Sequence, residues 1–457
     1  MNQARLSLHP FRWPLYVRVL VGVAVGIMLG TLLGKEAPGG SPAWGADVLA
    51  ALGDLGVLVI RLLKALAAPL ILFAVLDSLV KIRLTASAGF RLVAICLFNV
   101  TVAFAIGLTI MNTLRPGDAW RGRIEAMTAT LTPPGGENPD AKKLAAPGVT
   151  LSPLKNLNDY IPVSLVDPLV KNSVISLVLI GLLAGIALRQ ARERAEPAQR
   201  ESLLTIERFI EGMYLLLMQM LMLAVQLVPL AVFGAVAKVV GESGLGVFRL
   251  LWIFLATMLL GLGIHSLIYY PLAAWLAGRR SPRVYLGCGM DAILTSLSMN
   301  SSLATVPITL KCLTERMGVS QHAARLSACL GTNLNNDGIV LYDAMAALFL
   351  AQALGFELTL WQQMGVCLAS IMAGVGISGI PEAGLIVLPL VLAAAGLSDK
   401  TVVAALPLIM PVDWIIARCR SGVNTMSDML VAILLDRTGP LEAPPEPECL
   451  EPAQDFL

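Results

Sequence analysis

Residues 413–428 read DWIIARCRSGVNTMSD, and this stretch decides the fold because it places polar groups on one face of an otherwise apolar helix. Arg420, Asn424 and Asp428 are spaced four residues apart, and Asp413 lies two turns before Arg420. An arginine inside a bilayer costs about 3 kcal/mol on insertion scales, so it needs an anionic partner. Its planar fork suits a carboxylate. We expect Arg420 to bind a substrate carboxylate and Asp428 to serve a cation; the alternative is a permanent ion pair of Arg420 with Asp428 or Asp413.

The composition around this stretch is that of an integral membrane protein. Of the 457 residues, 56% are hydrophobic and 14% are charged, against about a quarter charged in soluble domains. The 33 basic and 31 acidic residues nearly cancel, so no basic excess indicates nucleic acid as a partner. Only three histidines are present, and His265 is predicted to be a packed or hydrogen-bonded helix residue that lies outside any polar cluster.

Apolar runs long enough to cross a bilayer predict six spans before residue 281. They cover residues 15–33, 47–79, 90–114, 173–188, 209–240 and 250–276. The first run could also be a signal peptide, but no convincing cleavage site follows it. Basic clusters in alternate loops predict that these loops and the N-terminus are cytoplasmic. We expect a multi-pass protein of a bacterial-type inner (plasma) membrane, with the C-terminus cytoplasmic too. These clusters are Lys81, Arg83 and Arg91; Arg189, Arg192 and Arg194; and Arg279, Arg280 and Arg283.

The last third of the chain has a different pattern. Residues 284–312 and 364–397 each run from apolar to small and polar and back to apolar, with Pro307 or Pro381 just past the middle. Each predicts a re-entrant helical hairpin, and each is followed by a span, 324–354 or 401–435. A hairpin and a span occurring twice is what an inverted repeat leaves in a sequence. The alternative is that glycine and proline merely kink ordinary helices.

Three short segments carry the polar groups of this region. Residues 331–338 read GTNLNNDG, a cluster of hard oxygen donors that suits an alkali cation, unless it is only a broken helix without an ion. Residues 300–307 read NSSLATVP and offer hydroxyl and N–H groups near a helix N-terminus, where an anion is favoured. Residues 374–384 read GVGISGIPEAG and are glycine-rich enough to form a gate.

Together these motifs resemble the dicarboxylate/amino acid:cation symporters, a family that includes excitatory glutamate transporters and bacterial C4-dicarboxylate carriers. The resemblance covers residues 15–437 and is most specific over 281–430. It implies an all-α membrane protein with eight transmembrane helices, two re-entrant hairpins, a homotrimer and an elevator-like transport domain. It also implies four parts: a cytoplasmic N-terminus (1–14), helices 1–6 (15–280), a transport core (281–437) and a disordered cytoplasmic tail (438–457). Helices 1–6 would be mainly scaffold, with helices 3 and 6 joining the transport domain.

The resemblance also implies a set of site residues. The substrate-binding residues would be Ser301, Ser302, Gly379, Ile380, Arg420, Ser421 and Asn424. The cation-binding residues would be Gly331, Asn333, Asn335, Asp337, Asn424 and Asp428, with Gly374, Gly376 and Ile377 at a second site. The coupling ion would be Na+, with H+ as the alternative, and the other partners would be a small anionic substrate and membrane lipid.

Departures from the family pattern bear on substrate and ion. In the amino acid carriers an aspartate three residues before the arginine binds the substrate ammonium, and here that position is Ala417. We therefore expect a dicarboxylate such as succinate, fumarate or malate. Arg418, together with Asn300, resembles the eukaryotic glutamate transporters and favours the alternative, glutamate or aspartate. Residues 99–100 (Asn-Val) and Asn336 replace a hydroxyl pair and a methionine of the family, which leaves the ion stoichiometry open.

Two other classes of protein compete less well with a carrier. An intramembrane hydrolase would need an activated serine, and residues 376–380 (GISGI) lack the last glycine of a GxSxG motif. The sequence therefore predicts that the protein is not an enzyme. A passive anion channel is the more distant alternative, because this architecture can leak anions between its domains.

Overall fold

The computed structural model describes residues 15–35, 37, 40, 42, 44–81, 86–121, 161–170, 173–375, 383–395, 397 and 399–437. Within these ranges the chain is helical and contains no β-strand, which confirms the all-α prediction. The helices before residue 281 are α1 (Leu15–Leu33), α2 (Gly45–Lys81), α3 (Ala86–Leu114), α4 (Val174–Arg194), α5 (Pro197–Val225), α6 (Val228–Ser243), α7 (Val247–Gly263) and α8 (Tyr270–Leu276). In the described ranges, four stretches are long and apolar enough to cross a membrane: Gly45–Asp77, Ser87–Leu114, Gln199–Glu242 and Leu251–Leu276.

Two of the predicted spans are interrupted. The predicted span 209–240 lies within the apolar stretch Gln199–Glu242, but it is not one continuous helix, because α5 ends at Val225 and α6 begins at Val228. Pro229 follows this break and has no N–H to continue the hydrogen bonds of α5. The span 250–276 contains a π-helical turn, Ile264–Tyr269, just before Pro271. A π-turn absorbs the backbone mismatch that a proline introduces.

The last third contains the two predicted hairpins. Its helices are α9 (Pro282–Met299), α10 (Val306–Lys311), α11 (Gln321–Arg325), α12 (Asp337–Ala353), α13 (Leu360–Val375), α14 (Ala383–Ala394) and α15 (Asp399–Arg437). In the first hairpin, α9 turns back into α10 at Asn300, whose φ is 53°. In the second hairpin, α13 packs against α14. The tip between them, including the predicted Gly376, Ile377, Gly379 and Ile380, lies outside the described residues.

The span predicted over 324–354 is a broken helix. After α11 the backbone passes through a π-turn (Leu326–Leu330) and a 3₁₀ turn (Gly331–Asn333), and regular α-helix resumes at Asp337. Every residue of α12 is buried. It packs against α3, α7, α13, α14 and α15 at the centre of the molecule. The break therefore places the oxygen-rich segment inside the protein, where irregular backbone is tolerated.

Candidate functional site

The centre of the site is Arg420, on the buried face of α15. Its side chain is 3% exposed, and its Nη2 lies 3.6 Å from Oδ2 of Asp413. Because the two residues are seven apart on one helix, two turns bring their side chains to the same face. The Arg420 guanidinium also stacks on Tyr342 of α12, with its Cζ 4.1 Å from the ring centroid. Of the two ion pairs that the sequence left open, the structure contains the one with Asp413.

The second hairpin approaches Arg420 through a glycine. A Cβ atom added at Gly384, in the first turn of α14, would lie 1.5 Å from Nη1 of Arg420. The guanidinium occupies the space that a side chain at 384 would need, so any larger residue there would displace Arg420 from its present position. Arg420 is therefore enclosed by α12, α14 and α15 together.

Two buried carboxylates accompany Arg420. Asp413 and Asp343 are both 0% exposed, and within the described ranges neither forms a hydrogen bond through its carboxylate oxygens. Asp343 follows Tyr342 on α12 and interacts electrostatically with both Arg420 and Asp413. If both were ionised, two carboxylates beside one guanidinium would leave one negative charge uncompensated, which is costly in a buried place. A ligand that carries a cationic group would relieve that cost.

The first hairpin is fastened to α15 by its tip. The Ser421 hydroxyl donates to Oδ1 of Asn300 (3.1 Å), and the Ser296 hydroxyl donates to the Ser421 carbonyl (2.7 Å). Arg418 donates from Nη1 to the carbonyls of Leu297 (3.1 Å) and Ser298 (2.7 Å). These carbonyls belong to the last turn of α9, which has no intrahelical donors for them. Arg418 therefore caps the first hairpin.

The two predicted serines of the first hairpin have different surroundings. The Ser301 hydroxyl accepts the N–H of Ala304 (3.2 Å), and its carbonyl accepts the Thr305 hydroxyl (2.8 Å), so Ser301 shapes the turn. The Ser302 hydroxyl is buried and has no hydrogen-bond partner in the described part of the chain. Ser302 is thus the serine whose hydroxyl is available to a ligand.

The oxygen cluster around the broken helix is tightly connected. Asn335 donates from Nδ2 to Oδ1 of Asp428 (3.0 Å), and the Ser427 hydroxyl lies 2.9 Å from Oδ1 of Asn335 and 2.7 Å from Oδ2 of Asp337. The Tyr270 hydroxyl also donates to Oδ2 of Asp337 (2.9 Å). The other carboxylate oxygen of Asp337, Oδ1, is buried and lacks a partner among the described residues. A buried carboxylate oxygen that forms no hydrogen bond, in a segment rich in asparagine, fits a small cation.

Three other predicted cation ligands already accept hydrogen bonds through their oxygens. The Gly331 carbonyl already accepts the N–H groups of Leu334 (2.7 Å) and Asn335 (2.8 Å), so it is directed into its own turn. Oδ1 of Asn424 accepts the N–H of Gly338 (2.8 Å). The Gly374 carbonyl accepts Nδ2 of Asn336 (3.0 Å). The side chain of Asn333 lies outside the described residues.

His265 is packed and hydrogen-bonded as predicted, but the prediction that it lies outside any polar cluster is wrong. Its ring is fully buried, stacks on Tyr269 at 5.1 Å between centroids and places Nε2 3.5 Å from Oδ2 of Asp337. The π-turn that contains His265 brings it to the broken helix, and no local sequence signal indicates that contact. Tyr342 and Asp343 were missed too, although an aspartate within the apolar run of α12 was a usable signal.

This geometry can be compared with known proteins. A model of the sodium:dicarboxylate symporter family matches residues 15–438, which include every element of the site. The chain belongs to the sodium:dicarboxylate symporter family. It is therefore a multi-pass membrane transporter with the glutamate-transporter fold, and not an enzyme.

Similar proteins are named as amino acid transporters. An excitatory amino acid transporter of Caenorhabditis elegans is 28% identical over 418 residues, which cover 82% of this chain and 79% of the nematode protein. Excitatory amino acid transporter 1 of Bos taurus and that of Homo sapiens are each 31% identical over 266 residues, covering 58% of this chain. These two alignments span only 47%, about half, of the mammalian relatives.

The names of these relatives overturn the dicarboxylate prediction. That prediction rested on Ala417, which leaves no carboxylate at the position where the family binds an ammonium group. The structure supplies a physical reason for the error. Asp413, one turn before Ala417, and Asp343 on α12 keep two buried carboxylates near Arg420. The residue at 417 alone therefore does not determine whether the site accepts an ammonium group.

Proposed function

We propose that the protein is a Na+-coupled symporter of an acidic amino acid, glutamate or aspartate. The relatives named as excitatory amino acid transporters support the substrate class, and the name of the family supports Na+ as the coupling ion. A proton gradient is the alternative driving force.

The observation that carries this proposal is the grouping of Arg420 with two buried carboxylates. A guanidinium binds a carboxylate through a planar pair of hydrogen bonds, and a carboxylate binds an ammonium group. Asp413 and Asp343 can therefore meet the amino group while Arg420 meets an acidic group of the same substrate. A substrate that brings carboxylates but no amino group would add negative charge to a site where Arg420 already faces Asp413.

The remaining substrate contacts follow from the positions of the predicted residues. We infer that the Ser302 hydroxyl binds the substrate, because it is buried without a partner among the described residues. Asn424, one turn after Arg420, lies on the same face of α15, and Ser421 lies beside Arg420 at the first hairpin; both would complete this side. Ser301 would contribute through the hairpin turn that it stabilises. The proposed contacts of Gly379 and Ile380 lie outside the described residues.

The coupling cation is proposed to bind at the broken helix. Oδ1 of Asp337 offers a free oxygen, and Asn335, Asn424 and Asp428 surround the break. A bound cation would supply the positive charge that this buried acidic cluster lacks. With the cation bound, Asp337 and Asp428 would remain ionised while the transport domain moves. Movement of the substrate would therefore require a bound cation.

The assembly and movement of the protein are proposed by analogy with the family. We infer a homotrimer whose scaffold contains most of 15–280 and whose elevator-like transport domain contains 281–437, with cytoplasmic termini. Leu215, Leu216 and Leu223 on α5 are more than half exposed, which supports a face covered by lipid or by another copy.

The test is uptake into proteoliposomes containing the purified protein. Labelled L-aspartate, L-glutamate and succinate are each offered with an inward Na+ gradient, with choline replacing Na+, and with a proton gradient alone. We expect aspartate or glutamate to accumulate above equilibrium only with the Na+ gradient.

The other outcomes separate the alternatives. Accumulation that follows the proton gradient and ignores Na+ would reject Na+ coupling. Flux that stops at equilibrium under every gradient would indicate a channel rather than a symporter. Absence of uptake of both amino acids, with the protein folded and inserted, would reject the substrate class.

A further inference from the structure

Asn336 replaces the methionine of the family motif and lies where α12 begins. Its side chain is buried, with the residue 2% exposed, in the gap between the 3₁₀ turn and α12. A methionine offers no hydrogen-bond donor, whereas an asparagine amide offers two. The replacement therefore adds a donor to a buried site beside the proposed cation cluster.

The orientation of this amide is determined by its neighbours. The backbone N–H of Gly338 can only donate, and it bonds Oδ1 of Asn424 at 2.8 Å. The opposite end of that amide, Nδ2 of Asn424, must then donate, and it contacts Oδ1 of Asn336 at 3.3 Å. Nδ2 of Asn336 is consequently directed at the Gly374 carbonyl, 3.0 Å away. One chain of hydrogen bonds thus connects α12, α15 and the end of α13.

The Gly374 carbonyl needs a partner of positive character. It belongs to the last turn of α13, where the final four carbonyls have no intrahelical donor and the helix dipole is negative. The family resemblance assigns this segment to a second cation. In this chain the amide hydrogen of Asn336 already points at that carbonyl, and a cation on the same oxygen would face a partial positive charge at short range.

We propose that the Asn336 amide takes the place of one coupling cation at the end of α13. Substrate binding in this protein is then linked to one cation fewer than in a variant that lacks the amide. The inference rests on the proposed amino acid symport for its main measurement, but it concerns the number of cations rather than the substrate.

The test is equilibrium binding of labelled aspartate to purified wild type and to Asn336→Met over a series of Na+ concentrations. Each cation taken up with the substrate makes the slope of log Kd against log free Na+ more negative by one, through linkage. We expect the slope of Asn336→Met to be steeper by about one, so that a tenfold fall in Na+ weakens its binding about tenfold more than that of wild type. An equal or shallower slope would overturn the proposal.

A matched control uses another asparagine that donates to the same helix. Asn112 of α3 donates from Nδ2 to Oε1 of Gln363, in the first turn of α13 and far from Gly374. Asn112→Met should leave the slope at the wild-type value. If the methionine variant at 336 does not fold, Asn336→Ala removes the same amide with a smaller side chain and gives the same comparison.

A second measurement does not require a known substrate. The melting temperature of each protein is followed against Na+ concentration with no amino acid present. Because a cation that binds the native state raises the melting temperature by mass action, Asn336→Met should show the steeper dependence. If wild type fails to bind aspartate but this difference is present, the proposed substrate is wrong and the role of Asn336 stands. If the two dependences coincide, the role of Asn336 is rejected whatever the substrate.

Discussion

The helix pairs α1–α6 and α12–α15 are both tightly packed, but by opposite means. α1 carries glycines at every fourth position along the side that faces α6. A Cβ atom at Gly22, Gly26 or Gly30 would lie 2.7–2.8 Å from a carbonyl oxygen of α6. This small-residue pattern lets two backbones approach closely, which is how helices associate where no water drives them together. Close backbone packing is the main contact of this pair, with one hydrogen bond from the Lys35 N–H to the Gly241 carbonyl just beyond the end of α1 (3.0 Å).

The pair α12–α15 is held by polar contacts as well as by close approach. Gly338 also admits no Cβ, because one would lie 2.6 Å from the Arg420 carbonyl. The same glycine, however, donates its N–H to Asn424, and Ser427 bonds Asn335 and Asp337 across the interface. Several oxygens in this interface form no hydrogen bond in the described part of the chain, among them Oδ1 of Asp337 and both carboxylate oxygens of Asp413, which pairs with Arg420 by charge alone. The first pair is complete without a ligand, whereas the second has polar groups that a ligand would satisfy.

The largest effect should follow from removing the charge at the centre of the polar pair. Arg420→Ala leaves the substrate carboxylate and Asp413 without their partner, so we expect uptake of the preferred amino acid to fall about 100-fold or more. The measurement is Na+-driven uptake in proteoliposomes, normalised to inserted protein. Arg316→Ala, which breaks an exposed ion pair with Asp291, should transport normally. Normal uptake by Arg420→Ala would remove Arg420 from the proposed substrate site.

Substitutions in the contact between α1 and α6 should lower the stability of the protein and leave its substrate affinity nearly unchanged. In Gly26→Leu, the added side chain meets the Phe233 carbonyl, and overpacking of this kind costs about 1–3 kcal/mol. We expect a lower melting temperature in detergent and a larger aggregated fraction, with near-normal substrate affinity in the protein that remains folded.

Gly212 of α5 provides the matched control for this substitution. A Cβ atom there would meet nothing within 4 Å, so Gly212→Leu should leave the melting temperature almost unchanged. Equal destabilisation by the two substitutions would contradict close packing as the basis of the α1–α6 contact.

The two pairs also differ in how far the sequence predicts them. The polar stripe of α15 was predictable, because Asp413, Arg420, Asn424 and Asp428 share one helical face and all four are buried. The break before α12 was predictable from its asparagines and glycines. The glycine pattern of α1 was visible too, but the partner helix was not, because nothing in a glycine specifies which backbone it meets.

Contacts between distant segments account for most of what was missed. His265 and Asp337 are 72 positions apart in the chain, and a π-turn at Ile264–Tyr269 places the His265 ring beside Asp337. The contact of Gly384 with Arg420 depends on how the second hairpin folds back. The substrate prediction failed for the same reason, since Ala417 was interpreted alone and the carboxylate of Asp343 lies on another helix.

The smallest effect should come from a charge cluster outside the membrane, beyond the end of α3. Asp118 accepts Nε of Arg115 (2.7 Å) and pairs with Arg121 (3.0 Å), and both arginines contact Glu357. The hydrogen bond from Arg115 lowers the pKa of the Asp118 carboxyl below its ordinary value. Its ionised form therefore stabilises the folded state above that ordinary value, and this contribution is lost as the pH falls through the lowered pKa.

Asp118→Asn removes this contribution, so the stabilisation by the exposed cluster can be compared with that by the buried polar network. All members of the cluster are more than a third exposed, so water screens them and the loss at pH 7 should be below about 1 kcal/mol. The measurement is the difference in melting temperature between wild type and Asp118→Asn, followed with pH and salt. We expect a small difference at pH 7 that shrinks in high salt and disappears at acid pH. A large loss of melting temperature that does not depend on salt would show that this exposed cluster stabilises the end of α3 as strongly as the buried network stabilises α12. The proposed difference between exposed and buried polar contacts would then be wrong.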